Sequence, residues 1–505
     1  MIVIALDLGT SGCKGYLITL EGKIIKSMKV DYPTYYEANN IVEQCPLDWI
    51  KAVKKCLKIL CKKKSIKEDI IGICVDATVG TLVPIERWGV ASTKRVPLYS
   101  DMRAINEVEF IKERFGARYI YNKTGNPLTP VPTLVKMMWY KKYEKRIYEK
   151  TKKFIFHKDY IVENLIDETE PFTDYTDASA TMAYDIRKKE WISEILEETG
   201  IPLDKLPEVK ESREIAGGLS KKIANEIGIK SNIPVSVGAG DCAATLYGAG
   251  AVENMTGDVY IGTAPEIDLT LEELKLDPKF RIPIRCHAIK NQWYSTATTI
   301  SGYSINWFLN QIIGKNKISI EALNEKCKKI PAGSNGLLYL PYIIGERVPI
   351  LDPFARAAFI GLDINHRIEH MYRAILEGIS FALRENLEVY QKDMNIKIKY
   401  LSFSGGGAEN ILMRKIIASN LKMKISLIEN SVDCAAIGNA MLFLTSLGEY
   451  KDIKEASKRI VKVIGEEDSD TELSKVYDEY YLIYKEAYKK LKNLFIKLRK
   501  FRSLK

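Results

Sequence analysis

The stretch IALDLGTSGCKGYLI, Ile4–Ile18, decides how the chain is read. An apolar run ends in Asp7, a Gly-Thr-Ser-Gly turn follows, and Lys14 leads into a second apolar run. Two apolar runs flanking a short glycine-containing turn predict a β-hairpin. A carboxylate at a strand end among small residues is costly to bury without a partner. Glycine lets the backbone approach a ligand closely, and successive N–H groups with a threonine hydroxyl surround an anion well. The stretch therefore reads as a phosphate-holding turn, with Asp7 suited to Mg²⁺, a hard cation that prefers carboxylate oxygens and water. A hairpin with a capping aspartate has the same pattern, so the turn alone leaves both readings open.

The pattern returns in GDVYIGTAPEIDLTL, residues 257–271, with its own Gly262-Thr263 turn between apolar runs. Two such turns facing each other would hold the outer phosphates of ATP from both sides. Strand and helix signals alternate along the chain. PLDWIKAVKKCLKILCKKK carries Trp49, Val53, Leu57 and Leu60 on one helical stripe, and IIGICVDA reads as a strand. Helices are expected in GYSINWFLNQII, HMYRAILEGISFALRENLEVY and ILMRKIIASNL. The expected fold is α/β, two duplicated halves around a cleft. The expected division is 1–250, 251–455 and a basic helical extension over 456–505, with Leu491, Leu494, Phe495 and Leu498 packed inward.

The net charge is +10, from 75 basic and 65 acidic residues, partly gathered in that last helix. Such charge attracts nucleic acid or anionic membranes. An amphipathic helix with lysines in water explains it without either partner. No apolar run nears the ~18 residues of a membrane span, and MIVIAL before Asp7 is too short for a signal peptide, so a cytoplasmic protein is expected. Nine cysteines without a C-x-x-C pair and four histidines without zinc spacing fit reduced thiols rather than disulfides or a structural metal. His366 and His370, four apart, are read as surface residues, and Met137-Met138-Trp139 as core.

No G-x-x-x-x-G-K-[ST] occurs, which excludes a P-loop. SGGGAEN, Ser404–Asn410, resembles a dinucleotide fingerprint, but Asn410 stands where glycine or alanine is needed. Asp241 in VSVGAGDCAATLYGAGA, residues 235–251, lies among small residues at a strand end. It reads either as a helix N-cap or as a base that a substrate can reach.

With these residues in hand, the sequence resembles the FGGY family of carbohydrate kinases over about residues 1–450. ALDLGTSGCKG is similar to the first phosphate motif, and TGNPLTPVPTLVKMMW to the first signature, with Lys136 and Trp139 in place. FTDYTDASATM resembles the T-D-x-x-x-A-S segment, and LPYIIGERVP the L-P-Y-x-x-G-E-R-x-P stretch. AAFIGLDINHRIEHMYRAILEG matches the second signature, and SGGGAEN resembles the adenosine-contacting turn.

The resemblance implies two ribonuclease H-like domains of the actin/Hsp70/hexokinase type, ATP and Mg²⁺ as cofactors, a small-molecule sugar as partner and, by analogy, a homodimer. It implies Asp241 as the catalytic base and Asp7 with Asp241 at the metal. Gly9, Thr10, Ser11, Lys14, Gly262, Thr263, Gly302, Asn306, Gly406, Gly407 and Asn410 are implied around ATP. Thr78, Val79, Gly80, Asp101, Arg103, Asp241 and Cys242 are implied around the sugar. Glu346 and Arg347 read as a structural pair or loop anchor.

Departures bear on the acceptor. Where glycerol kinases carry an Arg-Glu pair, the chain has DATVGTLVPIE, and Val131 stands at their signature tyrosine, which disfavours glycerol. Thr78-Val79-Gly80-Thr81 replaces the Gln-Met-His-Gly of xylulokinases, and the sugar loop appears as YSDMR. VDATVGTLV is similar to some ribulokinases. A ketopentose is expected, with D-xylulose ahead of D- or L-ribulose or a polyol because the rest of the chain reads as xylulokinase-like. The alternatives of other classes are an actin/Hsp70-like nucleotide switch and a dinucleotide enzyme.

Overall fold

The computed structural model describes residues 1–37, 41–314, 318–499 and 501. The first sheet is built from β1 (Ile2–Leu8), β2 (Gly12–Thr19), β3 (Ile24–Asp31), β4 (Ile70–Ala77), β5 (Ile215–Gly218) and β6 (Pro234–Ser236). The short strand Ala239–Gly240 adds to β4, and the order is β3-β2-β1-β4-β6-β5. The helix α1 (Pro46–Leu60) lies on this sheet, and Trp49, Val53, Leu57 and Leu60 are all buried, as the stripe predicts.

The helix α2 (Asp241–Gly248) leads to the second sheet, made of β7 (Thr256–Tyr260), β8 (Glu266–Leu271), β9 (Ile284–Cys286), β10 (Trp293–Thr298), β11 (Tyr400–Ser404), β12 (Ile425–Ile428) and β13 (Val463–Glu467). Its order, β9-β10-β8-β7-β11-β12-β13, repeats the first sheet's pairing from β10 onward. In both sheets two antiparallel pairs precede two parallel pairs and a last antiparallel one. The expected duplication is therefore present. The outer strands differ in chain order: β5 precedes its neighbour β6, whereas β13 follows β12.

The helices α3 (Ile368–Glu388) and α4 (Ile411–Leu421) pack in the second half. The helices α5 (Cys434–Ser446) and α6 (Ile453–Ile460) instead return to the first sheet, where Phe443 and Ile460 share a core with Val3, Ala5 and Ile18. The two halves are thus laced together by exchanged helices. No helix among the described residues is long and apolar enough to cross a membrane.

Three expectations change. The chain beyond 455 is not helical throughout, because β13 completes the second sheet before α7 (Thr471–Arg499) buries Tyr477, Tyr481, Tyr484 and Phe495 against α3 and α4. On α7, Leu494 and Leu498 are about half exposed, because the apolar seam follows the tyrosines instead. The His366 and His370 side chains are not on the surface. His370 Nδ1 accepts from Arg367 N (3.2 Å) and His366 Nδ1 from Asp363 N (2.9 Å), so both close the turn entering α3.

His157 and His287 are wholly buried, and burial holds both down to about 3. His157 lies against Trp49 at 3.9 Å between ring centroids, and His287 stacks on Tyr247 at 4.0 Å. In the unfolded chain each takes up a proton near pH 6.5, while the native protein does not until near pH 3. Their stabilising contribution is complete above pH 6.5 and falls as pH falls toward 3, by about 2 kcal/mol each at pH 5. His157→Phe should therefore lose about 2 kcal/mol less stability than the wild type between pH 7 and 5. Urea midpoints at the two pH values measure this; identical losses would contradict it.

Candidate active site

Three neighbouring strand ends carry carboxylates. Asp7 and Asp76 are register partners on the parallel pair β1–β4, and Ala239 pairs with Asp76, two residues before Asp241. Adjacent strands lie ~4.8 Å apart, so residues 7, 76 and 241, remote in sequence, meet at one edge. Their mutual repulsion is visible in their ionisation. Burial, with Asp241 close by, pushes Asp7 up to about 6 against the pull of Lys14, its register partner on β2. Burial and the charges of Asp7 and Asp241 push Asp76 well above the carboxylate range. Asp76 accepts from Asn439 Nδ2 at 3.3 Å, and its Oδ1 is buried without a partner.

Asp241 is the first residue of α2, and Gly240 occupies the cap position, so the N-cap reading does not hold. Its Oδ1 accepts from Cys242 N (2.9 Å) and Val79 N (3.4 Å), the Cys242 thiol lies beside the carboxyl, and no backbone N–H among the described residues reaches Oδ2. Burial raises this carboxyl while the two backbone donors lower it. The side chain is thus oriented by one oxygen and presents the other. That geometry suits a base.

The Gly9–Gly12 turn is gripped from outside. Gly9 O accepts from Tyr32 Oη (2.5 Å), Thr10 O from Thr34 Oγ1 (2.9 Å) and Gln44 Nε2 (2.7 Å), and Ser11 O from Tyr32 N (3.3 Å). With the carbonyls engaged, the exposed Thr10 and Ser11 present their hydroxyls and amides outward, in the arrangement an anion needs. In the second half, two glycine stretches converge on the Gly262-Thr263 turn. A Cβ on Gly302 would lie 2.2 Å from Gly262 O, and one on Gly407 would lie 2.3 Å from Ile261 Cγ2. Gly405, at φ +79°, would put one 2.7 Å from Ile261 O. Gly406 beside them has open space. Asn306 is exposed on the helix Tyr303–Trp307. Asn410 caps α4, its Oδ1 accepting from Met413 N at 3.1 Å, so its side chain is occupied by the fold.

The acceptor side is a clamped set of loops. Lys136, fully buried, donates to Gly80 O (3.0 Å), Leu98 O (2.8 Å) and Val131 O (3.1 Å), and burial lowers it to about 7. One ammonium thus ties three loops together. Thr78 Oγ1 donates to Leu8 O at 3.2 Å and Val79 packs on Gly240, so both position Asp241. Gly80 holds φ +84° beside Tyr99. Asp101 and Arg103 depart from the sugar-hydroxyl assignment. Asp101 Oδ1 accepts from Arg103 N (3.0 Å) and Nε (2.8 Å), while Oδ2 accepts from Arg103 Nη2 (2.7 Å) and Val42 N (2.8 Å). Four donors fill that carboxylate. Arg103 also pairs with Glu43 and stands over Trp139 at 4.8 Å. The pair stiffens the loop instead of facing the cleft.

Sequence reasoning missed several residues. Asp76 looked like an ordinary strand position, and only its pairing with Asp7 reveals it. Glu346 is the loop anchor expected, accepting from Thr299 Oγ1 (2.6 Å) and Ile300 N (3.0 Å). Arg347 donates its backbone N–H to Glu346 Oε1 (2.7 Å), while its guanidinium reaches to the face of Tyr99 at 5.6 Å, from one half to the other. Cys242 Sγ and a carboxylate oxygen from each of Glu266 and Asp268 lie within 4.8 Å of one another, next to Asp241.

The family of FGGY carbohydrate kinases matches this chain twice, its N-terminal domain over residues 2–248 and its C-terminal domain over 273–447. The chain is 30% identical over 502 residues to the xylulose kinase of Bacillus subtilis (strain 168), covering 99% of each. It is 26% identical over 468 residues to the gluconokinase of the same organism, covering 91% of this chain and 90% of that one. A ligand-bound xylulose kinase from Lactobacillus acidophilus superposes with a TM-score of 0.90 at 24% identity, covering 98% and 99% of the two chains. Two glycine turns, one in each half of a duplicated fold, and a match running from one end of the chain to the other lead to one conclusion: the chain belongs to the FGGY family of carbohydrate kinases, and is a sugar kinase.

Proposed function

We propose that the chain transfers the γ-phosphoryl group of ATP to a hydroxyl of a ketopentose, D-xylulose before ribulose. The observation that carries the chemistry is Asp241, held by two backbone N–H groups on Oδ1 with no backbone N–H among the described residues on Oδ2. Full-length likeness to a xylulose kinase supports the acceptor. Residues 1–250 would hold the sugar and outer phosphates, and 251–455 the adenosine.

In this reading Asp241 Oδ2 receives the hydroxyl proton as that oxygen attacks the γ-phosphorus. Phosphoryl transfer needs little covalent help, so positioning and charge neutralisation carry the rate. Thr10, Ser11, Lys14 and Thr263 would contact phosphates, and the glycines at 262, 302, 406 and 407 would let the nucleotide lie against backbone. The crowded carboxyls of Asp7, Asp76 and Asp241, with Asp76 Oδ1 unpartnered, fit a hard cation, and Asp7 with Asp241 would hold Mg²⁺. Bound there, it would neutralise charge on the phosphates. Closure of the cleft would exclude water from the transfer.

An ADP-release assay over D-xylulose, D- and L-ribulose, polyols, glycerol and D-gluconate tests this. The highest kcat/KM should belong to D-xylulose, by tenfold or more over glycerol, whose hydroxyls cannot fill a pentulose site. A preference for gluconate would replace the acceptor named here with an aldonate.

A further inference from the structure

Behind Asp241 lies a polar face that the transfer chemistry leaves unused. Alternate residues of β8 point the same way, which puts Glu266 and Asp268 on the side facing Cys242. Thr298 and Thr296 stand opposite them on β10, and Arg285 stands beside Tyr294 on β9. Glu266 Oε2 accepts from Thr298 Oγ1 at 2.7 Å; Oε1 has no donor among the described residues, and the residue is only partly buried. Asp268 is almost fully buried, and its Oδ1 has no partner. A buried unpartnered carboxyl oxygen is costly, and hydroxyl groups would satisfy it.

We propose that this face is the subsite for the distal hydroxyls of the acceptor, with Glu266 as a specificity-determining residue that selects an uncharged polyhydroxy chain over an aldonate. The proposal rests on the kinase reading above and names what the site reads. Two guanidiniums face these carboxyls: Arg285 acts on Asp241, Glu266 and Asp268, and Arg347 acts on Glu266 as well. Burial, with the neighbouring carboxyls, raises Glu266 to about 7 and Asp268 further, so the pair both accepts from and donates to hydroxyl groups. A carboxylate at the end of the acceptor would offer no donor to Glu266 Oε1 or to the unpartnered Asp268 Oδ1. Arg285 also supplies the positive charge that a metal ion would bring to Cys242, Glu266 and Asp268.

The test is steady-state kinetics of the full chain with D-xylulose, D-ribulose and D-gluconate, for the wild type, Glu266→Gln and Glu266→Val. Losing a hydrogen bond to a charged group costs about tenfold or more in binding. Glu266→Gln should therefore raise KM for the ketose about tenfold with kcat within about threefold, and shift the ketose-to-gluconate ratio of kcat/KM toward gluconate by a similar factor. Glu266→Val should raise KM at least as far. An unchanged thermal shift on adding ATP shows that both variants are folded. Wild-type KM and ratio in both variants would overturn the proposal, as would a fall in kcat alone, which marks a residue that positions Asp241. If the wild type prefers ribulose or a polyol, the acceptor named above falls, while a KM rise on that neutral acceptor still upholds the subsite. If it prefers gluconate, the subsite falls and the kinase assignment stands.

Discussion

Asp241→Asn is expected to lower sugar-dependent kcat by 10²–10⁴-fold, the range a positioned general base contributes. The change is nearly isosteric. The amide oxygen can still accept from Cys242 N and Val79 N, so α2 keeps its start and the loop carrying Val79 keeps its anchor. Only the second oxygen loses its ability to take a proton. ATP binding, read as a thermal shift, should persist or strengthen slightly, because one of three crowded carboxyls has gone and the burden on Asp7 and Asp76 is relieved. A variant that retains sugar-dependent ADP release within tenfold of the wild type would remove Asp241 from the base's role.

Gly438→Val should produce the largest loss of stability. The helices α2 and α5 touch backbone to backbone. A Cβ on Gly438 would lie 1.9 Å from Ala244 O and 2.6 Å from Gly248 N, and one on Gly248 would lie 1.9 Å from Cys434 O. Neither neighbour is the flexible end of a side chain, so one helix must move. Overpacking of this kind costs about 3 kcal/mol or more. Because α2 begins at Asp241, the same displacement moves the base, and a shift of ~1 Å costs about a hundredfold in rate. Urea midpoint and kcat/KM should fall together. Gly465→Ala, where a Cβ meets only Leu427 Cδ1 at 3.7 Å, is the control and should change neither. A Gly438→Val protein with the wild-type midpoint would mean that the two helices part at no cost.

The elements most legible in the sequence are those whose pattern is local. The β1–β2 hairpin, the α1 stripe and the β7–β8 repeat each declare themselves within twenty residues, because pleat and helix period fix which side chains share a face. The glycine stretches were found for the same reason, since only glycine tolerates the close approaches at Gly302 and Gly407. The mutual bonding of Asp101 and Arg103 was not legible because two charged residues in a loop look alike whether they face a ligand or each other. His366 and His370 were misplaced because a polar residue before a helix looks exposed until its cap bonds are known. Asp76 and Glu266 escaped notice because nothing near them in sequence marks them.

By itself the sequence determined the α/β class and the duplication, and it marked the two glycine turns and Asp241 for attention, all written in spacings of a few residues. Only the tertiary structure decided which carboxyls crowd one another, which are saturated and which present a free oxygen. Strand pairing brings residues hundreds of positions apart to within one ~4.8 Å spacing, and the burial that follows sets their charge. Neither property belongs to any short stretch of the chain.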